Sequence, residues 1–331
     1  HLEDRCFVSA LGFAAGMDAA LEKARNIARQ TADGFKLLLV EARDTADERP
    51  QASTQLKNLV DAGAYAGQVQ QILKAVAEGE VYQACLTHRM EFQTEKDPWA
   101  LYLRMRERNP APFASYLSLP EVTVLSSSPE RFLRVHAGGE VESRPIKGTR
   151  PRGKTELEDQ RLREELNTSD KDRAENLMIA DLVRNDLGRV CELGSVHVSN
   201  LQQVEDHATV FQMVTTVCGA LREECDALEA LRACFPPGSM TGAPKIAAMR
   251  LLETLESVER GVYSGGLGYL DCRGGMDLAV VIRTLLLREG RADLHVGGGV
   301  VADSIPAEEY QESLHKAKAW LEVLGVVLPS S

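Results

Sequence analysis

The sequence predicts an α+β fold in which layered antiparallel β-sheets carry flanking helices. Three observations predict it. Strand-like runs follow one another directly, at 114–119, 122–126 and 132–136 and again at 263–270, 278–288 and 292–300, without strict strand–helix alternation. Two long helical stretches, 155–188 and 307–324, lie between and after those groups. The 331 residues are 44% hydrophobic and 26% charged, enough apolar material for a full core, which excludes disorder or a collagen-like chain.

The elements follow in order. Residues 18–32, rich in Ala, Lys and Arg, predict a helix, 35–40 a strand, and 44–53, polar and holding Pro50, a loop. Val69, Ile72, Leu73 and Val76 recur with helical period, so 66–78 is a helix, and 81–92 is a strand. Pro98 opens a helix that Pro110 stops. The stretch 155–188 breaks near Thr168, 196–204 is a strand and 211–221 is apolar. Helices follow at 226–234 and 245–256. Residues 1–65 are expected to form an N-terminal part and 66–325 the main functional region, together one compact domain.

The chain carries 49 acidic against 38 basic residues, a net charge of −11, which argues against a general nucleic-acid binder. Seven cysteines, an odd number widely spaced without a CxxC, fit a reduced cytoplasmic setting better than a disulfide framework. No apolar run of 18 residues points to a membrane span.

Four constellations carry chemistry. Residues 144–154 place Arg144, Lys147, Arg150, Arg152 and Lys154 together with no acid, among two prolines and two glycines. They read as a structured loop, either a solvated basic turn or an anion-binding, catalytic one. Asp172 and Glu175 are three apart on a helix, as are Glu309 and Glu312. Such pairs are either solvated or arranged around a hard cation such as Mg²⁺. The glycine-rich run 235–245 opens a helix but does not fit a phosphate-binding P-loop. Glycines 265, 266 and 268 and 297–299 lie inside strand-like stretches, where they signal bulges or close approach. Glu130, between two strands, is either a surface acid or a general acid.

Taken together these motifs resemble the chorismate-utilising enzymes, the large subunits of anthranilate and aminodeoxychorismate synthases and their isochorismate and salicylate synthase relatives. The matching segments run in the family's order: 128–132, 145–150, 174–178 with 181–187, 238–245, 263–266, 281–284 and 297–303 through 309–312. The resemblance implies the anthranilate synthase large-subunit-like fold, with the N-terminal part shortened. It implies Mg²⁺ held by Glu175 and Glu312, with Asp172 and Glu309 acting through water. It implies that Arg283, Tyr263 and Lys316 meet a carboxylate of chorismate, that Ser239, Gly297 and Gly299 offer donors, and that Thr149 lies near the ring.

Within the family Lys147 is the distinguishing residue. Anthranilate synthases usually carry Ala there, and aminodeoxychorismate synthases often carry Lys, which the resemblance implies is a nucleophile, with Glu130 the acid. Isochorismate and salicylate synthases carry a Lys base where this chain has Gln83, so those activities are not expected. One departure stands out: Phe211 and Gln212 lie where relatives commonly have a His, and His207 is no substitute for it. The expected activity is amination of chorismate to 4-amino-4-deoxychorismate, toward 4-aminobenzoate and folate. Its ammonia would come from a separate glutamine amidotransferase subunit, since no glutaminase Cys–His pattern is present. The five basic residues of 144–154 are expected to surround the dianionic substrate. The alternatives are an anthranilate synthase large subunit and a chorismate-binding homologue without catalysis.

Overall fold

The computed structural model describes residues 53–328, together with residues 22, 26, 29 and 30, which are helical. The remainder of the helix expected at 18–32, the strand at 35–40 and the loop at 44–52 lie outside the described residues.

Among the described residues two seven-stranded sheets, antiparallel in every strand pairing, form the frame. The first contains β1 (Gln55–Asn58), β2 (Gln83–Gln93), β3 (Phe113–Ser118), β4 (Thr123–Ser128), β13 (Thr284–Arg288) and β14 (Arg291–Val300), in the order β1-β2-β14-β13-β4-β3. The two-residue β10 (Gly242–Ala243) adds to β2. The second contains β5 (Arg131–Val135), β6 (Glu140–Arg144), β7 (Ile146–Pro151), β8 (His197–Asp206), β9 (Val210–Ala220), β11 (Gly266–Leu270) and β12 (Met276–Val280), in the order β11-β12-β5-β6-β9-β7 with β8 on β9. The backbone β2–β14 pairing is continuous from Gln93 opposite Arg291 to Ala84 opposite Val300. It brings Cys85, Leu86 and Thr87 against the three consecutive glycines 299, 298 and 297.

Helices cover both sheets. They are α1 (Ala62–Ala77), α2 (Pro98–Arg108), α3 (Glu156–Thr168), α4 (Asp170–Gly188), α5 (Ala227–Cys234), α6 (Lys245–Leu255) and α7 (Pro306–Leu324). Their ends follow local chemistry. Asp61 caps α1 by accepting from the amides of Gly63 and Ala64 at 2.9 and 3.1 Å. The expected break near Thr168 falls at Ser169, which closes α3 and caps α4 through its hydroxyl. Gly325, at φ 71°, ends α7 in the left-handed conformation that glycine adopts without strain.

Apolar faces fix the layers. Ile179, Val183 and Leu187 on α4 and the alanines of α5 pack on Leu133, Val135 and Val217 of the second sheet. Trp320 and Leu324 of α7, with Leu101 and Met105 of α2, cover Leu125, Leu285 and Leu294 of the first. No helix among the described residues is long and apolar enough to cross a membrane.

The structure corrects one local reading. Residues 146–151 are not a loop but strand β7, pairing with β9 from Ile146 opposite Val214 to Pro151 opposite Val210. The register shifts between Ile146 and Thr149, so Lys147 and Gly148 form a bulge. Gly148 sits at φ 85°, and a Cβ there would lie 2.8 Å from the Leu166 side chain. Proline and glycine density signals irregular backbone; here that irregularity is a bulge within a strand.

Candidate active site

The bulge aims Lys147 at the first sheet. A Cβ on Gly299 would stand 2.9 Å from Lys147 Nζ and 2.2 Å from Gln83 Nε2, so the missing side chain makes room for both. Lys147 Nζ lies 3.9 Å from Glu175 on α4, and the lysine side chain is 14% exposed. Gln83 is fully buried, and among the described residues neither atom of its amide has a hydrogen-bond partner. A buried amide with both ends open is costly unless a bound molecule completes it.

Glu130 sits between β4 and β5, where the two sheets meet, and is buried. Burial pushes its carboxyl up to about 7, opposed by hydrogen bonds from the Ser239 hydroxyl and the Ile146 amide and by the charge of Lys147. Near neutral pH such a group can hold a proton and give it away.

Three acids gather on the other side of Lys147. Positions above Gly298 lie 3.2 Å from Glu309 and 3.8 Å from Glu312, both on α7. Burial raises the pKa of Glu175, the charges of Asp172 and Glu312 raise it further, and Lys147 opposes both. Burial likewise raises Glu309, with Glu312 adding to it and a hydrogen bond from Ser304 at 2.6 Å opposing. Lys316 holds Glu312 below the usual carboxylate range, at 2.8 Å. Among the described residues, no three His, Cys, Asp or Glu side chains close on one point as a preformed metal cage does. The donor set still suits a hard cation that keeps water ligands and takes part of its shell from a bound anion. The charge of Glu312 raises the pKa of both Glu175 and Glu309, a repulsion that such a cation would relieve.

The remaining site residues divide into two groups. Arg283 adopts φ 50°, rare for a side chain of its size, and among the described residues it has no ion pair. Burial lowers its pKa. Tyr263 is buried beside it and stacks on His295, ring centroids 5.1 Å apart. Lys316 also donates to the Gly297 carbonyl at 2.9 Å. Gly297 itself lies against β2, where a Cβ would meet the Leu86 carbonyl at 2.1 Å, so its glycine is required by strand packing. Thr149 is exposed on β7 opposite Gln212, beyond the bulge.

The basic cluster is the second correction. Arg144 pairs with Glu205, Arg152 with Asp159 at 2.6 Å, and Arg150 with both Glu165 at 2.8 Å and Asp172 at 2.9 Å. Arg152 also lies 4.6 Å over the Phe211 ring. Arg150 fastens β7 to α3 and α4, Arg152 just beyond β7 holds α3, and Arg144 at the end of β6 holds β8; of the cluster, Lys147 is the residue that reaches Gly299 and Glu175. Asp172 is correspondingly engaged by Arg150. Phe211 and Gln212 are buried in β9, and His207 stands beside Glu205 at 3.9 Å. Sequence reasoning did not anticipate the Lys245–Asp186 ion pair at 2.6 Å beneath the Ser239 loop. Asp186 and Lys245 do lie within matched motifs, but separation by 59 residues hides their pairing.

The family described as chorismate binding enzyme matches residues 15–322. An aminodeoxychorismate synthase of Streptomyces griseus is 52% identical over 254 residues, 77% of this chain and 35% of that protein. Anthranilate synthase component 1 of Aquifex aeolicus is 38% identical over 311 residues, 94% of this chain and 63% of that protein. The crystal structure of anthranilate synthase component I from Streptococcus pneumoniae superposes with a TM-score of 0.74 at 33% identity, covering 87% of this chain and 65% of that one. The chain thus spans about a third of the length of the Streptomyces relative.

Proposed function

The chain belongs to the chorismate binding enzyme family, and from that premise we propose that it aminates chorismate to 4-amino-4-deoxychorismate with ammonia from a separate glutamine amidotransferase subunit. The observation that carries this reading is Lys147, a half-buried primary amine placed between Gly299, Gln83 and Glu175 in the same site as the buried acid Glu130.

The chain's own groups supply a two-step substitution. Lys147, once neutral, attacks ring carbon C2; the two ring double bonds shift, and the C4–oxygen bond breaks. Glu130 gives its proton to that oxygen, which leaves as water. Ammonia then adds at C4, the double bonds shift back, and the bond to Lys147 breaks, so the lysine is regenerated and the enolpyruvyl group is retained. Splitting one displacement into two is the usual gain of covalent catalysis. The neutral amide of Gln83 has no basic nitrogen to activate water, which favours ammonia as the nucleophile.

Arg283, without an ion pair among the described residues, is suited to a substrate carboxylate, and Tyr263 bounds the same place. Glu175, Glu309 and Glu312 would hold Mg²⁺, which when bound supplies positive charge for the ring carboxylate. Ser239 holds Glu130, and Lys316 holds Glu312. Incubation with chorismate, Mg²⁺ and an ammonium salt tests the reading. A product keeping the enolpyruvyl group supports it, and anthranilate with pyruvate would contradict it.

A further inference from the structure

Lys245 opens helix α6, but its side chain turns back beneath the preceding loop. Its ammonium donates to Asp186 Oδ2 on α4 at 2.6 Å, to the Cys234 carbonyl at 2.8 Å and to the Pro236 carbonyl at 2.8 Å. All three protons are used. The Lys245 and Asp186 side chains are 11% and 8% exposed. The segment held in this way continues directly into Gly238–Met240, which carries Ser239. It also rests on α4: a Cβ on Gly238 would lie 2.9 Å from the Leu182 side chain.

Ser239 is the loop's contact with Glu130. Glu130, Ser239 and Asp186 line one small cavity, with Ser143, Val183 and Cys234. Among the described residues no hydrogen bond joins the two carboxylates directly. The connection from the buried ion pair to Glu130 therefore runs through the short chain segment between Pro236 and Ser239.

We propose that Lys245 and Asp186 are positioning residues for the acid, fixing this loop so that Ser239 meets Glu130 in the geometry that proton transfer needs. The proposal rests on the reading of Glu130 as the group that protonates the departing hydroxyl. Glu130 is faced by Lys147 and the Ile146 amide from β7 and by Ser239 from the loop, while Arg131, Asp186 and Cys234 share its cavity. The Ser239 hydrogen bond favours the ionised carboxylate, so a displaced loop leaves Glu130 protonated to higher pH.

The test is a double-mutant cycle on chorismate consumption, followed across pH at saturating ammonium salt, with Ser239→Ala, Asp186→Asn and the double variant. Asp186→Asn is expected to lower kcat about tenfold or more while changing the KM for chorismate less than about twofold. It is expected to move the alkaline limb of kcat upward, as Ser239→Ala does. The double variant should match Ser239→Ala within about twofold, because both changes remove one contact. Losses that multiply in the double variant, or an Asp186→Asn variant that melts earlier with kcat and limb unchanged, would overturn the proposal. If Asp186→Asn does not fold, Asp186→Glu keeps the charge while displacing the loop and is carried through the same cycle. Following chorismate rather than product keeps the outcomes separate: anthranilate as product would defeat the proposed function while leaving the cycle readable. A wild-type protein that consumes no chorismate would overturn both.

Discussion

Lys147 and Gly299 meet across the two sheets, the lysine nitrogen standing 2.9 Å from where a Cβ on residue 299 would be. The relationship is specific because the bulge in β7 aims the lysine and the glycine in β14 receives it. Gly299→Ala is therefore expected to lower kcat/KM by roughly 10–100-fold, with a stability loss of about 1–3 kcal/mol from overpacking. Steady-state kinetics with a thermal melt checks it; unchanged kinetics would show that Lys147 does not need that space.

Glu130 makes a prediction about pH. As an acid it must be protonated, so kcat is expected to fall as pH rises through about 7. Glu130→Gln should lose roughly 100–10,000-fold in kcat and that limb with it. Stability has its own sign. Because burial raises the folded-state pKa from 4.5 to about 7, the fold is favoured with Glu130 protonated, and that advantage is lost as pH climbs through about 7. Glu130→Gln should accordingly be less pH-sensitive in its melt and gain stability above pH 7, by roughly 3 kcal/mol at most. A variant as sensitive as the parent would contradict the burial argument.

Arg150 separates framework charge from site charge. It bonds Glu165 and Asp172. Arg150→Gln is expected to cost about 1–3 kcal/mol of stability by leaving the half-buried Asp172 without its partner. The KM for chorismate should stay within about twofold, since Arg150 is held by protein acids. A large rise in KM without loss of stability would return Arg150 to the substrate.

Arg283 is the opposite case. Arg283→Gln should raise the KM for chorismate by about 30-fold or more, as expected when a buried charge loses its counterpart. Glu312→Gln should weaken Mg²⁺ binding by at least about tenfold, measured by calorimetry with chorismate present. Mg²⁺ affinity unchanged by Glu312→Gln would remove that residue from the cation's shell.

Much of this was legible in the sequence, for identifiable reasons. Strand runs and helical periods are local, so β2, the three strands of 114–136, α2 and the break near Thr168 are legible in the sequence, whereas the run read as one strand over 278–288 is two, β12 and β13, in different sheets and parted around Arg283 at φ 50°. The i,i+3 spacing put Glu309 and Glu312 on one face. What escaped was set by partners distant in the chain. The charges of 144–154 cannot reveal that Asp159, Glu165, Asp172 and Glu205 lie close enough to take three of them. Proline and glycine around Lys147 read as a loop because only the pairing with β9 makes that segment a bulged strand. Lys245 and Asp186 were hidden for the same reason. The charge balance also reads differently: of the basic cluster only Lys147 enters the candidate site, where it faces Glu175, and Arg283 adds a buried charge with no ion pair among the described residues, so no general basic patch is needed to meet an anion.

The central claim is that Lys147 bonds to the substrate. Wild-type protein mixed with chorismate and Mg²⁺, without ammonia, is quenched in acid and its peptides are weighed by mass spectrometry. A fraction of the peptide containing Lys147 is expected to be heavier by chorismate less one water, discharged when ammonium salt is added before quenching and absent from Lys147→Ala. An unmodified Lys147 peptide, together with a Lys147→Ala variant that forms 4-amino-4-deoxychorismate at the wild-type rate, would contradict it.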